Sequence, residues 1–425
     1  MILLSIFFIS CNFFPSENLL LFIPNQEKSV KEWSILVYMA GDNDLESAGL
    51  QDLCEMERSL LNTDNVQVIA IFDRSSSYDY SYDNWSGTRM YLLNTKRNAS
   101  ETKLISQQIE CPSLGLTNGT DYKLELSSPY VLAKSLSFII ENYPSKKVGL
   151  IMWGHGTGWR SSSSEINKTK AYAFDSSSQT SMSLQELAKA IEDGTSGRKL
   201  DFIGFDTCFG SEIEVVYELR NHSSYIAGSP GLILSEGWNY KTLFDSFELC
   251  SGKTQVDLCN SVMNSFSQYY KNTEDSSISI SNCAFTDELI ASFNDFCTLS
   301  GSKITTTEKR DEFIKYVWNL SEGKYTHGSE NDDVYIDINV FINAMYKIIL
   351  DNDANYYEQY KNLKDKVQKV VFKNWNSGNV DASMGIYFAT VSATGGISSI
   401  FPSGYIKGKT KNQIAFVNDV EGYVP

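Results

Sequence analysis

The chain has 425 residues, 42% of them hydrophobic, which is enough to fill the cores of two or three domains. Its 52 acidic side chains outnumber 36 basic ones, for a formal net charge of -16. The resulting field repels phosphate backbones and anionic membrane surfaces, which excludes nucleic acid as a partner class and favours cationic peptides.

Residues 1–10, MILLSIFFIS, are apolar and run directly into Cys11. A membrane-spanning helix needs about 20 such residues, so this run reads as the apolar part of an export signal. The FFISC junction resembles a bacterial lipobox, which makes Cys11 the expected lipidated residue, although no Lys or Arg precedes it. Residues 11–30 then form a tether, and the protein is expected to be exported, either as a cell-envelope lipoprotein or in secreted form. Its only expected link to a membrane is that N-terminal lipid.

From residue 33 short apolar runs alternate with segments of helical period. WSILVYMA (33–40) reads as a buried strand, and 44–61 as an amphipathic helix. VQVIAIFDR (66–74) is a second strand, and 84–94 an edge strand after a tyrosine-rich loop. A helix over 128–143, stopped by Pro144, leads into the strand VGLIMW (148–153). A serine-rich loop follows, with a short ribbon at AYAFD, and then a serine-capped helix over 183–194. LDFIGFD (200–206) is strand, 210–221 helix and 224–229 strand. This alternation predicts an α/β domain over 31–250, with a mostly parallel sheet sandwiched by helices. Residues 251–425 read as a mainly helical region closed by a strand at 383–392.

None of the eight cysteines forms a C-x-x-C pair or has a histidine at ligand spacing, so no structural zinc site is expected. Export would permit disulfides among Cys250, Cys259, Cys283 and Cys297, in a pairing the sequence leaves open. The acidic stretches at 43–52 and 329–337 do not match the EF-hand loop, so the sequence yields no calcium site.

Functional groups of an open parallel sheet gather beyond the carboxyl ends of its strands. Two apolar runs finish in reactive residues there: GLIMW in Gly154-His155-Gly156, and DFIGF in Asp206-Thr207-Cys208. A thiol attacks a carbonyl best as thiolate and the departing amine needs a proton, so a cysteine and a histidine suffice for amide cleavage without any cofactor. His155 precedes Cys208 by roughly 50 residues, the order and spacing quoted for caspases.

The motifs ILVYMAGDNDLE (35–46), WSGTRMY (85–91), LIMWGHGTGW (150–159) and IGFDTCFGSEIEVVYELR (203–220), with SEGWNY (235–240) and GIYF (385–388), resemble the clostripain family of cysteine peptidases. The resemblance is close over about 33–245 and loose beyond. It implies a caspase-like fold and a cysteine endopeptidase with His155 and Cys208 as catalytic dyad. Backbone N–H groups of Gly156 and Cys208 are then expected to form the oxyanion hole. It further implies Asp206 as the acid at the floor of the S1 pocket, accepting Arg or Lys at P1, and Glu236 as a second pocket acid. SPGLIL, just before Glu236, departs from the family's more acidic pattern. Self-cleavage is expected after Lys170, or else Lys168, in the loop between histidine and cysteine. His222 and His327 lie outside any strand-end context and are assigned no catalysis.

The expected partners are protein or peptide substrates, and the expected assembly is a monomer. A silent caspase-like binding or scaffold protein and a transpeptidase with the same dyad are the rival readings. Retention of His155, Cys208 and Asp206 together argues against the first.

Overall fold

The computed structural model describes residues 29–388, leaving out 119–121, 160–171, 274–275, 350–352, 378–382 and most positions from 305 to 333. In chain order the first half comprises β1 (Lys31–Gly41), α1 (Glu46–Glu57), β2 (Val66–Arg74), β3 (Gly87–Leu92) and β4 (Gln107–Ile109). There follow α2 (Pro129–Asn142), β5 (Ser145–Trp153), β6 (Tyr172–Asp175), β7 (Thr180–Met182), α3 (Leu184–Thr195), β8 (Phe202–Asp206), α4 (Ile213–Leu219) and β9 (Tyr225–Gly228). The second half comprises α5 (Tyr240–Leu249), α6 (Gln255–Tyr269), β10 (Ser277–Asn282), α7 (Thr286–Lys303), β11 (Thr326–His327) and β12 (Val334–Asp337). It ends with α8 (Ile338–Ile349), α9 (Ala354–Val370), β13 (Val371–Asn376) and β14 (Gly385–Phe388).

Nine strands form one sheet in the order β13-β10-β9-β8-β5-β1-β2-β3-β4. The central five, β9-β8-β5-β1-β2, are parallel, and antiparallel strands close both edges. The parallel core follows from its sequences: apolar runs too hydrophobic to leave a face to water, separated by helices that cover both faces. In β1 the side chains alternate between two cores. Leu36 and Tyr38 join one cluster with residues of α2, α3 and α4, and Trp33, Ile35, Val37 and Met39 join the other with residues of α1, α5 and α6. The expected α/β sandwich is therefore the observed one.

Helix α3 starts where the sequence indicates, with Ser183 and Glu186 forming a reciprocal capping box. Three features differ from expectation. The strand expected at the edge, β3, is covered by the short β4, so the edge lies one strand further out. Strands β10 and β13 were hidden from the sequence reading: β10 is SISISN, whose serines are buried, and β13 follows directly on helix α9. Because both pair into the main sheet, the expected boundary at 250/251 falls inside one continuous sheet and core. Helix α5, capped by Asn239, was not read from the sequence, although its buried Tyr240, Leu243, Phe244 and Phe247 recur at helical spacing.

The seven described cysteines are all free thiols, so no disulfide links Cys250, Cys259, Cys283 or Cys297 among the described residues. No described helix is long and apolar enough to cross a membrane. Cys11, Lys168 and Lys170 lie outside the described residues.

Candidate active site

Strands β5 and β8 are neighbours in parallel register, with Trp153 paired to Asp206. His155 and Cys208 each lie two residues past that pair, so the ladder delivers both to one end of the sheet. Two glycines make the turn possible. Gly154 has φ +128°, a conformation that side chains resist, and a Cβ there would meet the Ala40 carbonyl oxygen at 2.9 Å. A Cβ on Gly156 would stand 2.5 Å from the Cys208 carbonyl oxygen and 2.7 Å from Thr207 Oγ1. The histidine loop and the cysteine loop thus pack backbone to backbone.

A cleft of about 280 Å³ opens there, lined by His155, Cys208, Asp206, Trp153 and Asp44, among others. His155 is partly exposed, and its Nε2 lies 2.7 Å from Asp44 Oδ1. The ring of Phe174 packs edge-on to the imidazole at 6.4 Å between centroids. Asp44 comes from the loop after β1, which is pinned by Asn43: its Nδ2 donates to the carbonyls of Ala40 and Phe174, each at 2.9 Å. A carboxylate on one imidazole nitrogen leaves the other free to exchange a proton with a thiol.

Cys208 is half-buried. Its Sγ accepts a hydrogen bond from the backbone N–H of Ile233 at 3.3 Å. Burial pushes the thiol's pKa up; the Ile233 N–H acts in the opposite direction, and the nearby Asp206 charge adds to the rise. The resting group is therefore a thiol, and its attack on a carbonyl requires a base to remove the proton. Phe209, next in the chain, has φ +55° and marks the sharp strand-to-helix turn that exposes the cysteine.

Asp206 forms the buried floor, only 4% exposed. Its carboxylate accepts from the N–H of Trp238 at 3.1 and 3.2 Å and from the Tyr240 hydroxyl at 2.9 Å. Burial pushes its pKa up to about 7 against those two donors, and the charge of Glu55 raises it further. Behind it lies Asp52, held by Trp153 Nε1 at 2.7 Å and driven well above the usual carboxylate range by burial and then by Asp206. This floor gathers two carboxyl groups whose ionisation burial opposes, and no described Lys or Arg lines the cleft, so a cation entering it favours their ionised forms.

Glu236 departs from expectation. The turn closed by Gly237 N–H on the Leu234 carbonyl carries it outward, where it is exposed and accepts from Ser235 Oγ at 3.3 Å. Its neighbours Ser235 and Gly237 line the cleft, and Glu236 does not. Ile233 and Leu234 do, which gives this wall an apolar character. His222 does not line the cleft. Sequence reasoning missed Asp44, Asp52, Tyr240 and the Ile233 N–H. Only the DND run after β1 carried a signal, as polar residues beyond a strand end.

A family model described as the clostripain family matches residues 37–423. Clostripain of Hathewaya histolytica is 27% identical over 247 residues, which cover 55% of this chain and 45% of that protein, so less than half of the relative's length is matched. Two solved structures share the fold. An inactive zymogen C11 protease from Parabacteroides distasonis has a TM-score of 0.57 and 21% identity, covering 85% of this chain and 89% of its own. A secreted C11 cysteine protease from Bacteroides thetaiotaomicron, solved with an irreversible peptide inhibitor, has a TM-score of 0.55 and 18% identity, covering 84% and 89%.

Proposed function

This chain belongs to the clostripain family, and from that premise we propose that it is a cysteine endopeptidase hydrolysing peptide bonds after Arg or Lys. The observation that carries the reading is the convergence of His155, Cys208 and Asp206 on one cleft at the ends of β5 and β8. His155 takes the Cys208 proton, and the thiolate adds to the scissile carbonyl. Its developing oxyanion is received by the N–H groups of Gly156 and Cys208. The protonated imidazole then gives its proton to the leaving amine, and water, deprotonated by His155, hydrolyses the thioester. The basic P1 side chain reaches Asp206, where a buried carboxylate without a cation partner favours a charged donor.

Self-cleavage after Lys170, or Lys168, is part of the same proposal, as are export with a lipid on Cys11 and action as a monomer. The carboxyl floor of the cleft, with no described Lys or Arg on its lining, supports a basic cleavage site.

The test compares the unmodified chain with Cys208→Ala on fluorogenic peptides carrying Arg, Lys, Asp or Leu at P1, with intact-mass analysis of both proteins. Turnover after Arg and Lys, with two fragments from the unmodified chain alone, is expected. Preference for Asp or Leu rejects the role of Asp206, and fragments from both proteins reject self-cleavage. No turnover at all leaves a binding protein, and amide products with an added amine point to a transpeptidase. Loss of fatty-acid labelling in Cys11→Ser checks the anchor.

A further inference from the structure

Two leucines stand in the open on the cleft wall that follows β9. Leu232 is 57% exposed and Leu234 49%, and Leu234 lines the cleft itself. Between them Ile233 turns its backbone to the nucleophile. Its N–H donates to Cys208 Sγ at 3.3 Å, and its carbonyl oxygen lies 3.8 Å from the same sulfur. The stretch is pinned at both ends: the Phe209 N–H donates to the Gly231 carbonyl at 2.9 Å, and the Gly237 N–H to the Leu234 carbonyl at 3.0 Å. The two apolar side chains are therefore held outward by fixed backbone, at a place where water is their only described cover.

Their position decides which part of a bound peptide they meet. In the sheet β8 lies between β9 and β5, so Cys208 has His155 on one flank and residues 232–234 on the other. On the peptidase reading, on which this inference rests, His155 protonates the leaving amine, so the residues after the scissile bond lie on the histidine flank. Those before it lie on the leucine flank. Successive side chains of an extended peptide point to opposite sides. With P1 directed down to the buried Asp206, P2 points up to the rim, where the leucines are exposed.

We propose that Leu232 and Leu234 form the S2 subsite and select a large apolar side chain, of the size of leucine, at P2. Such a side chain removes its own surface and that of both leucines from water in one contact, and neither leucine offers a polar group to a charged or hydrogen-bonding rival. The stretch SPGLIL, which departs from the family's more acidic pattern, thus gives this chain a preference of its own.

The test uses the full chain and fluorogenic peptides with Lys at P1 and either Leu or Ala at P2 and at P3, in all four combinations. With either residue at P3, kcat/KM is expected to be about 10-fold or more higher for Leu than for Ala at P2. Replacing both wall residues together, Leu232→Ser with Leu234→Ser, should bring that ratio close to one. The ratio is taken within a single protein, so the fraction of the variant that is folded cancels from it. Equal turnover of the Leu and Ala peptides overturns the subsite and leaves the peptidase reading standing. So does an apolar preference at P3 instead of P2, or a P2 preference that the double variant retains. Cleavage of none of the peptides overturns the peptidase reading and the subsite with it.

Discussion

The backbone of Gly156 rests against that of Cys208 so closely that a methyl group would stand 2.5 Å from the Cys208 carbonyl oxygen. This contact leaves no room between the histidine loop and the cysteine loop. Gly156→Ala should force the loops apart by a few tenths of an ångström or more. We expect kcat/KM to fall about 100-fold while the Tm changes little, because misplacement of reacting groups is costly to rate and the strain is local. Kinetics on a Lys-P1 peptide alongside a thermal melt separate the two; an active variant would show that the contact does not set the geometry.

Asp44 holds His155 Nε2 at 2.7 Å, on a surface where water weakens the interaction. Asp44→Asn should lower kcat about 10-fold and leave KM nearly unchanged, a small share of what a positioned acid and base contribute. Asp44→Glu should recover part of the loss. A rise in KM with kcat intact would assign Asp44 to substrate binding instead.

Asp206 titrates near neutrality, raised by burial to about 7. On the role proposed for Asp206, a basic P1 group binds its ionised form, so KM for Arg and Lys peptides should fall as the pH rises from about 6 to about 8. Asp206→Asn should raise KM about 100-fold for those peptides and flatten that pH dependence, since a buried charged pair loses one partner. Equal KM values for Lys and Leu peptides in the unmodified enzyme would contradict this.

Glu212, before α4, is buried, and neither carboxylate oxygen has a hydrogen-bond partner. Burial, then the neighbouring charges of Glu214 and Cys208, hold its pKa well above the usual range. A folded-state pKa above the unfolded one means that the native state binds the proton more tightly, so stability falls as pH rises above the unfolded value of about 4.3. Glu212→Gln removes that titration. Its Tm should exceed that of the unmodified chain by about 2–4 °C at pH 8 and converge on it in acid. A lower Tm at pH 8 would mean that the carboxylate has a stabilising role.

The β1, β2, β5 and β8 strands and their order of reactive residues could be read locally, because a strand buried on both faces leaves an unbroken apolar run with polar or reactive residues directly after it. His155, Cys208 and Asp206 were visible for that reason. Strand β10 was not read, although its Ser/Ile alternation has the period of a strand; what the sequence hid is that its serine face is buried as well. The direction of Glu236 was not legible, because a turn at Gly237 decides which way its side chain faces.

By itself, then, the sequence determined the α/β class and singled out His155 and Cys208, the residues proposed for the chemistry, through periodicity and position within single segments. Only the folded chain decided that Asp44 supports the imidazole, that Ile233 contacts the sulfur, and that Leu234 lines the same cleft. Those meetings depend on strand order and loop path, which bring groups from distant parts of the chain within a few ångströms. No local pattern records a contact whose partner lies elsewhere in the chain.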